Sequence, residues 1–303
     1  QIEDYNIGGN NPEPTPMPTP PQDGNWDEAR KVNSPKVAGT GLIPVYHNGT
    51  SWVDLTENST EEEWNKWYSY DTTNKKWANA RTADGSMWVW IPRYEYKIDS
   101  AAKTIDVRFI KTDVKAGANG YTTDSTGIIR SSDDYIVHPA FINDSANGFD
   151  NGGWDRELEG FWVAKYAAGW QNGQEGTSSI TENGYTVKKS STATYATSGN
   201  GTSYGGSREC GELISYPVFK TNNYAYNLIS VGDAYKIAKE IGTAKDMYGL
   251  NNVDSHLEKN SEWGAVAYLA HSKYGVNGQD KIAVNAKDKN NKPTGIHAVT
   301  SYG

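Results

Sequence analysis

The sequence predicts an α+β fold with twisted antiparallel sheets, two main helices and long loops, from three observations. Short apolar runs separated by Gly, Asn, Asp and Ser fill the first half of the chain, and two stretches of helical period lie in the last third. The aromatic bias is the third: 303 residues carry 11 Trp and 20 Tyr against 5 Phe and 3 Met, with only 36% apolar residues. Burial therefore relies on large amphipathic rings, which suit pleated sheets and contact surfaces.

Residues 1–10 carry Ile2, Tyr5 and Ile7 at short spacing, compatible with a small docking strand or with disorder. Pro12, Pro14, Pro16, Pro18, Pro20 and Pro21 then alternate with small or polar residues. That pattern favours polyproline II, extended at about 3.1 Å per residue, and reads as a stalk, with capture by a proline-binding groove as the other use of such a segment. Residues 1–25 are accordingly an N-terminal segment and spacer, and 26–303 one domain, β-rich over 26–110 and loop-rich with two helices over 111–303.

Within the domain, Leu42–Tyr46 and Ser51–Leu55 flank Asn48-Gly49, the strongest short hairpin signal. Glu61-Glu62-Glu63-Trp64 reads as a short acidic helical patch. Ser86–Ile98 predicts a buried strand, a bend at Pro92 and a half-exposed strand in which Tyr94, Tyr96 and Ile98 alternate with Arg93, Glu95 and Lys97; Ile105–Ile110 is its partner. Residues 111–155 and about 170–213 read as long loops, separated by a strand over Gly160–Tyr166. The first helix opens on Ser230 as N-cap with Asp233 three residues on, buries Ala234, Ile237, Ala238 and Ile241, and stops at Gly242. The second runs from about Asn260 to Ser272 with Trp263, Val266, Ala267 and Ala270 as its apolar stripe and Gly275 just past its end.

A net charge of −8 disfavours nucleic acid, which needs clustered Lys and Arg to displace counterions. No apolar run spans a bilayer, and the chain opening on Gln1 reads as a mature form without leader or anchor. The single cysteine, Cys210, excludes an intrachain disulfide and a multi-cysteine metal site and reads as an inert thiol. Neither G-x-S-x-G nor H-E-x-x-H occurs, and His47, His138, His256, His271 and His297 are scattered singly, without metal-ligand spacing. No cofactor is expected. Loop-bound calcium at Asp133-Asp134 or Asp150–Glu159 has no EF-hand spacing behind it, and solvated loop charge is the expectation. Sequons at Asn48, Asn58, Asn143 and Asn200 occur at about the frequency chance gives in so Asn-, Ser- and Thr-rich a chain. Trp154, Trp170, Tyr185, Tyr195 and Tyr204 lie in Gly/Ser/Asn-rich stretches and are the candidate contact residues, unless they pin those stretches to the core.

Three blocks in order carry a family resemblance: Trp88–Pro92, Phe161–Ala167, and Tyr216-Pro217-Val218 followed by Ile229–Ala234 and by Asn260-Ser261-Glu262-Trp263. Together with Trp77–Ala80 and Asp84–Tyr94, this succession resembles formylglycine-generating-enzyme/sulfatase-modifying-factor domains of exported Firmicutes and phage surface proteins, over roughly residues 36–275. The resemblance implies a C-type-lectin-like topology. It does not carry over the oxidase chemistry, which uses a copper-binding cysteine pair that this chain lacks. The family's closing strands have no counterpart after Tyr274: either the sequence stops short, the last strands come from another chain, or the core closes differently, and an open sheet edge there would invite strand addition. The expected function is a non-catalytic extracellular structural or adhesive protein on a cell surface, pilus-like filament or phage particle. Its partners are a surface protein, a glycan, or further copies joined by strand donation. The alternatives are a receptor-binding protein diversified at its loops, or an enzyme of the same family type without copper-cysteine chemistry.

Overall fold

The computed structural model describes residues 19–144, 154–174, 179–182, 185–189, 194–198, 216–221, 223–225, 231–251 and 253–275, with the backbone alone for 170–198 and 223–225. The folded body begins earlier than residue 26. Gln22 O accepts from Val37 and Ala38 N–H, Gly24 N donates to Ser34 Oγ, and Pro20 is buried.

A two-residue hairpin, β1 (Trp26–Asp27) with β2 (Val32–Asn33), opens the fold. β3 (Ile43–His47) and β4 (Trp52–Asp54) form the hairpin that Asn48-Gly49 predicts, with Asn48 Oδ1 accepting from Thr50 and Ser51 N–H. α1 (Glu61–Trp64) is closed by a capping box between Thr60 and Glu63 and turns Trp64 into the core. β5 (Asn79–Arg81), β6 (Met87–Pro92), β7 (Tyr94–Asp99) and β8 (Thr104–Phe109) follow, and the bend at Pro92-Arg93 moves the chain from one sheet to another.

The described residues of the 111–155 stretch are not the long loops that its composition suggests. They hold β9 (Tyr121–Thr123), β10 (Ile129–Ser131) and β11 (Ile136–Val137), strands too short to show a period, with the Gly and Asp residues supplying the turns between them. β12 (Gly160–Ala164) is the strand read over Gly160–Tyr166. The second presumed loop region likewise contains β13 (Gly169–Gln174), β14 (Ser179–Glu182), β15 (Tyr185–Lys189) and β16 (Thr194–Ser198). Of these, β13 pairs with β17 (Asn223–Ala225) and the others form a three-stranded sheet.

Two antiparallel five-stranded sheets dominate, ordered β12-β6-β5-β3-β4 and β8-β7-β11-β10-β9. One face of the first packs Trp90, Ala80, Tyr46 and Trp162 with Trp64, Trp67, Tyr68 and Tyr70. Its other face packs Ile91, Phe161 and Val163 with Tyr94, Phe141, Trp154 and the last helix. The mixed helix and antiparallel-sheet content is that of an α+β protein.

The helices are α2 (Val231–Ile241), the short α3 (Lys245–Tyr248) and α4 (Asn260–His271). α2 buries Ile237, Ala238 and Ile241 as expected; its proposed cap, Ser230, lies outside the described residues. Gly242 ends it where a Cβ would lie 2.0 Å from Val253 O, so the close approach of the 253–255 segment requires glycine. α4 has the expected length but a rotated stripe, in which Val266 still packs on the core. Glu262, Ala265 and Leu269 face inward, and Trp263 is 63% exposed. The reason is electrostatic as well as apolar: Glu262 reaches back to Lys259 N–H and to His256, and this rotates the helix so that Trp263 points out.

Candidate functional site

The most distinctive feature is the outer side of β12, which among the described residues is an edge strand paired only with β6, in a register running from Gly160↔Pro92 to Ala164↔Trp88. Lys165 N donates to Met87 O, and Glu159 O accepts from Arg93 N. Antiparallel strands alternate inward and outward bonding groups, so Phe161 and Val163 bond to β6 while Gly160, Trp162 and Ala164 turn their N–H and C=O to the open side. Among the described residues none of these outward amides has a backbone partner. Both faces of the strand rest on apolar clusters: Phe161 and Val163 on one, Trp162 and Ala164 on the other. Trp162 is oriented by its Nε1–H, which donates to Lys36 O at 2.8 Å, and by Trp90, 5.4 Å away between ring centroids.

Titratable groups converge in four places, and each convergence is internally paired. Arg93 is fully buried where the chain changes sheet, donating to Phe141, Leu158 and Val114 carbonyls and to Glu157 Oε2 at 2.6 Å. On the second sheet Glu95, 2% exposed, accepts from Arg108 Nε at 2.8 Å and Tyr121 OH at 3.0 Å. Burial raises its pKa, and Arg108 and Tyr121 hold part of that rise back. Arg108 also grips Asp133 with both guanidinium arms and lies 3.5 Å over the Tyr135 ring. Lys165 reaches across the first sheet to Asn79 Oδ1 at 3.0 Å and to the Trp52 ring, and burial lowers its pKa to about 8.

The fourth convergence surrounds the start of α4. His256 Nε2 lies 3.0 Å from Glu262 Oε1 and its Nδ1 lies 3.2 Å from Asp254 Oδ2. Burial alone would lower the imidazole pKa; the two carboxylates outweigh it and raise the value to about 9. With both nitrogens held as donors, the ring has no lone pair to offer a substrate. Its edge meets Trp154, and the Lys259 ammonium lies 3.6 Å from that ring's centre. The arrangement is a clasp that ties the 154–158 segment to the N-terminus of α4.

The expected contact residues separate. Trp154 is a core residue, only 8% exposed, donating to Ala140 O; its ring closes the clasp instead of meeting solvent. Trp170 stands on β13, Tyr185 on β15 and Tyr195 on β16, where the backbone alone is described. Tyr204, Cys210, Asn200, His297 and Pro12, Pro14, Pro16 and Pro18 lie outside the described residues, while Pro21 is part-buried at the start of the body. Asp133 and Asp134 hold Arg108 and Arg130, and no group of three or more His, Cys, Asp or Glu among the described residues suits a metal ion. No described helix is long and apolar enough to cross a membrane.

Sequence reasoning missed Arg93, Glu95, His138 and Glu262 as buried polar groups, and His256 and Lys165 as part-buried ones held by side-chain contacts. Glu262 had a signal, since it occupies the third helical position, where a carboxylate caps the helix start. Arg93 and Glu95 had none, because their alternation with tyrosines imitates a solvent-facing set. No family model, curated protein or solved structure compared with the chain matches it.

Proposed function

We propose that the chain is a non-catalytic, extracellular structural or adhesive protein with a C-type-lectin-like domain, and that it works by binding a surface partner through the open edge of β12. The observation that carries this reading is that edge, five residues with no charge or proline, flanked by apolar clusters on both faces. Such an edge offers a partner a ladder of main-chain bonds and pockets for alternate side chains. The resemblance of Trp88–Pro92, Phe161–Ala167 and the Asn260–Trp263 block to exported proteins supports display on a cell surface, filament or phage particle.

The second reading, an enzyme without copper-cysteine chemistry, draws on the convergence around Glu262. The engagement of both His256 nitrogens by carboxylates favours a structural clasp over a general base there.

The test immobilises the full chain and challenges it with arrays of extracellular proteins and glycans, beside Ala164→Pro, which removes an outward N–H from the open edge. Retention of a partner by the native chain and at least a tenfold loss in the variant, at unchanged circular dichroism, is expected. Equal retention by both would remove β12 from the reading.

A further inference from the structure

We propose that the β12 edge pairs with itself: β12 of a second copy docks antiparallel across a two-fold axis at Trp162, joining two five-stranded sheets into one continuous sheet. This rests on the reading of the chain as a contact protein and names its partner.

The other three edges of the two main sheets are each guarded. β4 has three residues, and its Asp54 is paired with Arg81. β9 also has three. β8 carries Asp106 and Arg108, and Lys273 at the end of α4 holds Asp106 at 3.0 Å. Short length and inserted charge are the usual defences against edge-to-edge association. β12 has neither.

The outward groups determine which registers are possible. Because Gly160, Trp162 and Ala164 present their amides and carbonyls to the open side, a hydrogen-bonded pair must join two of these positions. With Trp162 on the axis, Trp162 meets Trp162, Gly160 meets Ala164, and about six inter-chain bonds form. Phe161 then stands opposite Val163, and position 159 opposite 165 at both ends, so no like charges meet across the seam while the Lys165 ammonium stays with Asn79 and the Trp52 ring. Shifting the axis to Val163 puts Lys165 against Phe161. Shifting it to Phe161 puts Lys165 against Glu157, which Arg93 already holds at 2.6 Å. A two-fold interface is self-complementary by construction, so one uncharged edge suffices for both partners.

The experiment is sedimentation velocity of the full chain over a wide concentration range, with amide hydrogen exchange at each concentration, on the native protein and Ala164→Pro. Proline at 164 removes an outward N–H and leaves the bonds to β6 in place. The native chain is expected to form a concentration-dependent dimer in which the Trp162 and Ala164 amides exchange more slowly as the dimer fraction rises. Ala164→Pro is expected to weaken the dimer at least tenfold with unchanged near-ultraviolet dichroism. A native chain that is monomeric throughout, with those amides insensitive to concentration, overturns the proposal; so does a dimer that Ala164→Pro leaves intact while folded. Should Ala164→Pro unfold, native exchange alone decides. A monomer that still captures a foreign partner through this edge sinks self-pairing and leaves the contact reading standing; a monomer whose captures ignore Ala164→Pro sinks both.

Discussion

At the residue scale, two histidines, His138 buried and His256 part-buried, set opposite pH dependences. Burial among Tyr94, Tyr96, Phe141 and Tyr268 lowers the pKa of His138 from 6.5 to about 3. Between those values the unfolded chain binds a proton that the folded chain refuses, so stability falls as pH drops from 6.5. His256 runs the other way. Asp254 and Glu262 raise it to about 9, so its contribution is complete below 6.5 and is lost as pH rises toward 9. Each arm is about 2 kcal/mol once relaxation around the clusters is allowed for. Melting temperature against pH should therefore peak near 6.5; His256→Gln should flatten the alkaline arm, and His138→Gln the acid arm between 6.5 and about 4.5, above the carboxylate range. A profile unchanged by either substitution would show that these rings do not govern it.

At the element scale, α4 shows how far an amphipathic pattern can mislead. Trp263, Val266, Ala267 and Ala270 form a stripe at helical spacing, yet Ala265 and Leu269 are the residues with no exposure. Apolar spacing alone leaves the rotation open, and it is decided by Glu262, which caps the helix start and meets His256. Leu269→Ala should cost about 2–5 kcal/mol through lost burial and a residual cavity, and Trp263→Ser should stay within about 0.5 kcal/mol, as read by urea unfolding. The reverse ranking would restore the stripe read from sequence. β7 makes the same point with charge: its tyrosines alternate as expected, but Glu95 is buried because Arg108 and Tyr121 from neighbouring strands reach it.

At the scale of the whole molecule, self-pairing of β12 would couple stability to concentration, because the dimer binds only the folded state. A hundredfold excess over the dissociation constant corresponds to about 2.7 kcal/mol, enough to raise the melting temperature of a chain this size by several degrees. Scanning calorimetry at two concentrations a hundredfold apart should show that rise in the native chain and lose it in Ala164→Pro.

What the sequence determined by itself was local: the Asn48-Gly49 hairpin, the short acidic helical turn Glu61–Trp64, the strands through Trp88–Ile91 and Phe161–Val163, and the span and stop of α2. Each depends on near neighbours, whose geometry a turn residue, a cap or an apolar run dictates. Only the tertiary structure decided that 121–137 is a meander, that Trp154 is core, that Arg93 and Glu95 are bonded inside, and that β12 is an edge among the described strands. Those outcomes depend on partners far away in the chain: the bond from Arg93 to Glu157 spans 64 residues and that from Trp162 to Lys36 spans 126. A pattern of single residues carries no record of such pairings, because burial is a property of what the fold brings alongside.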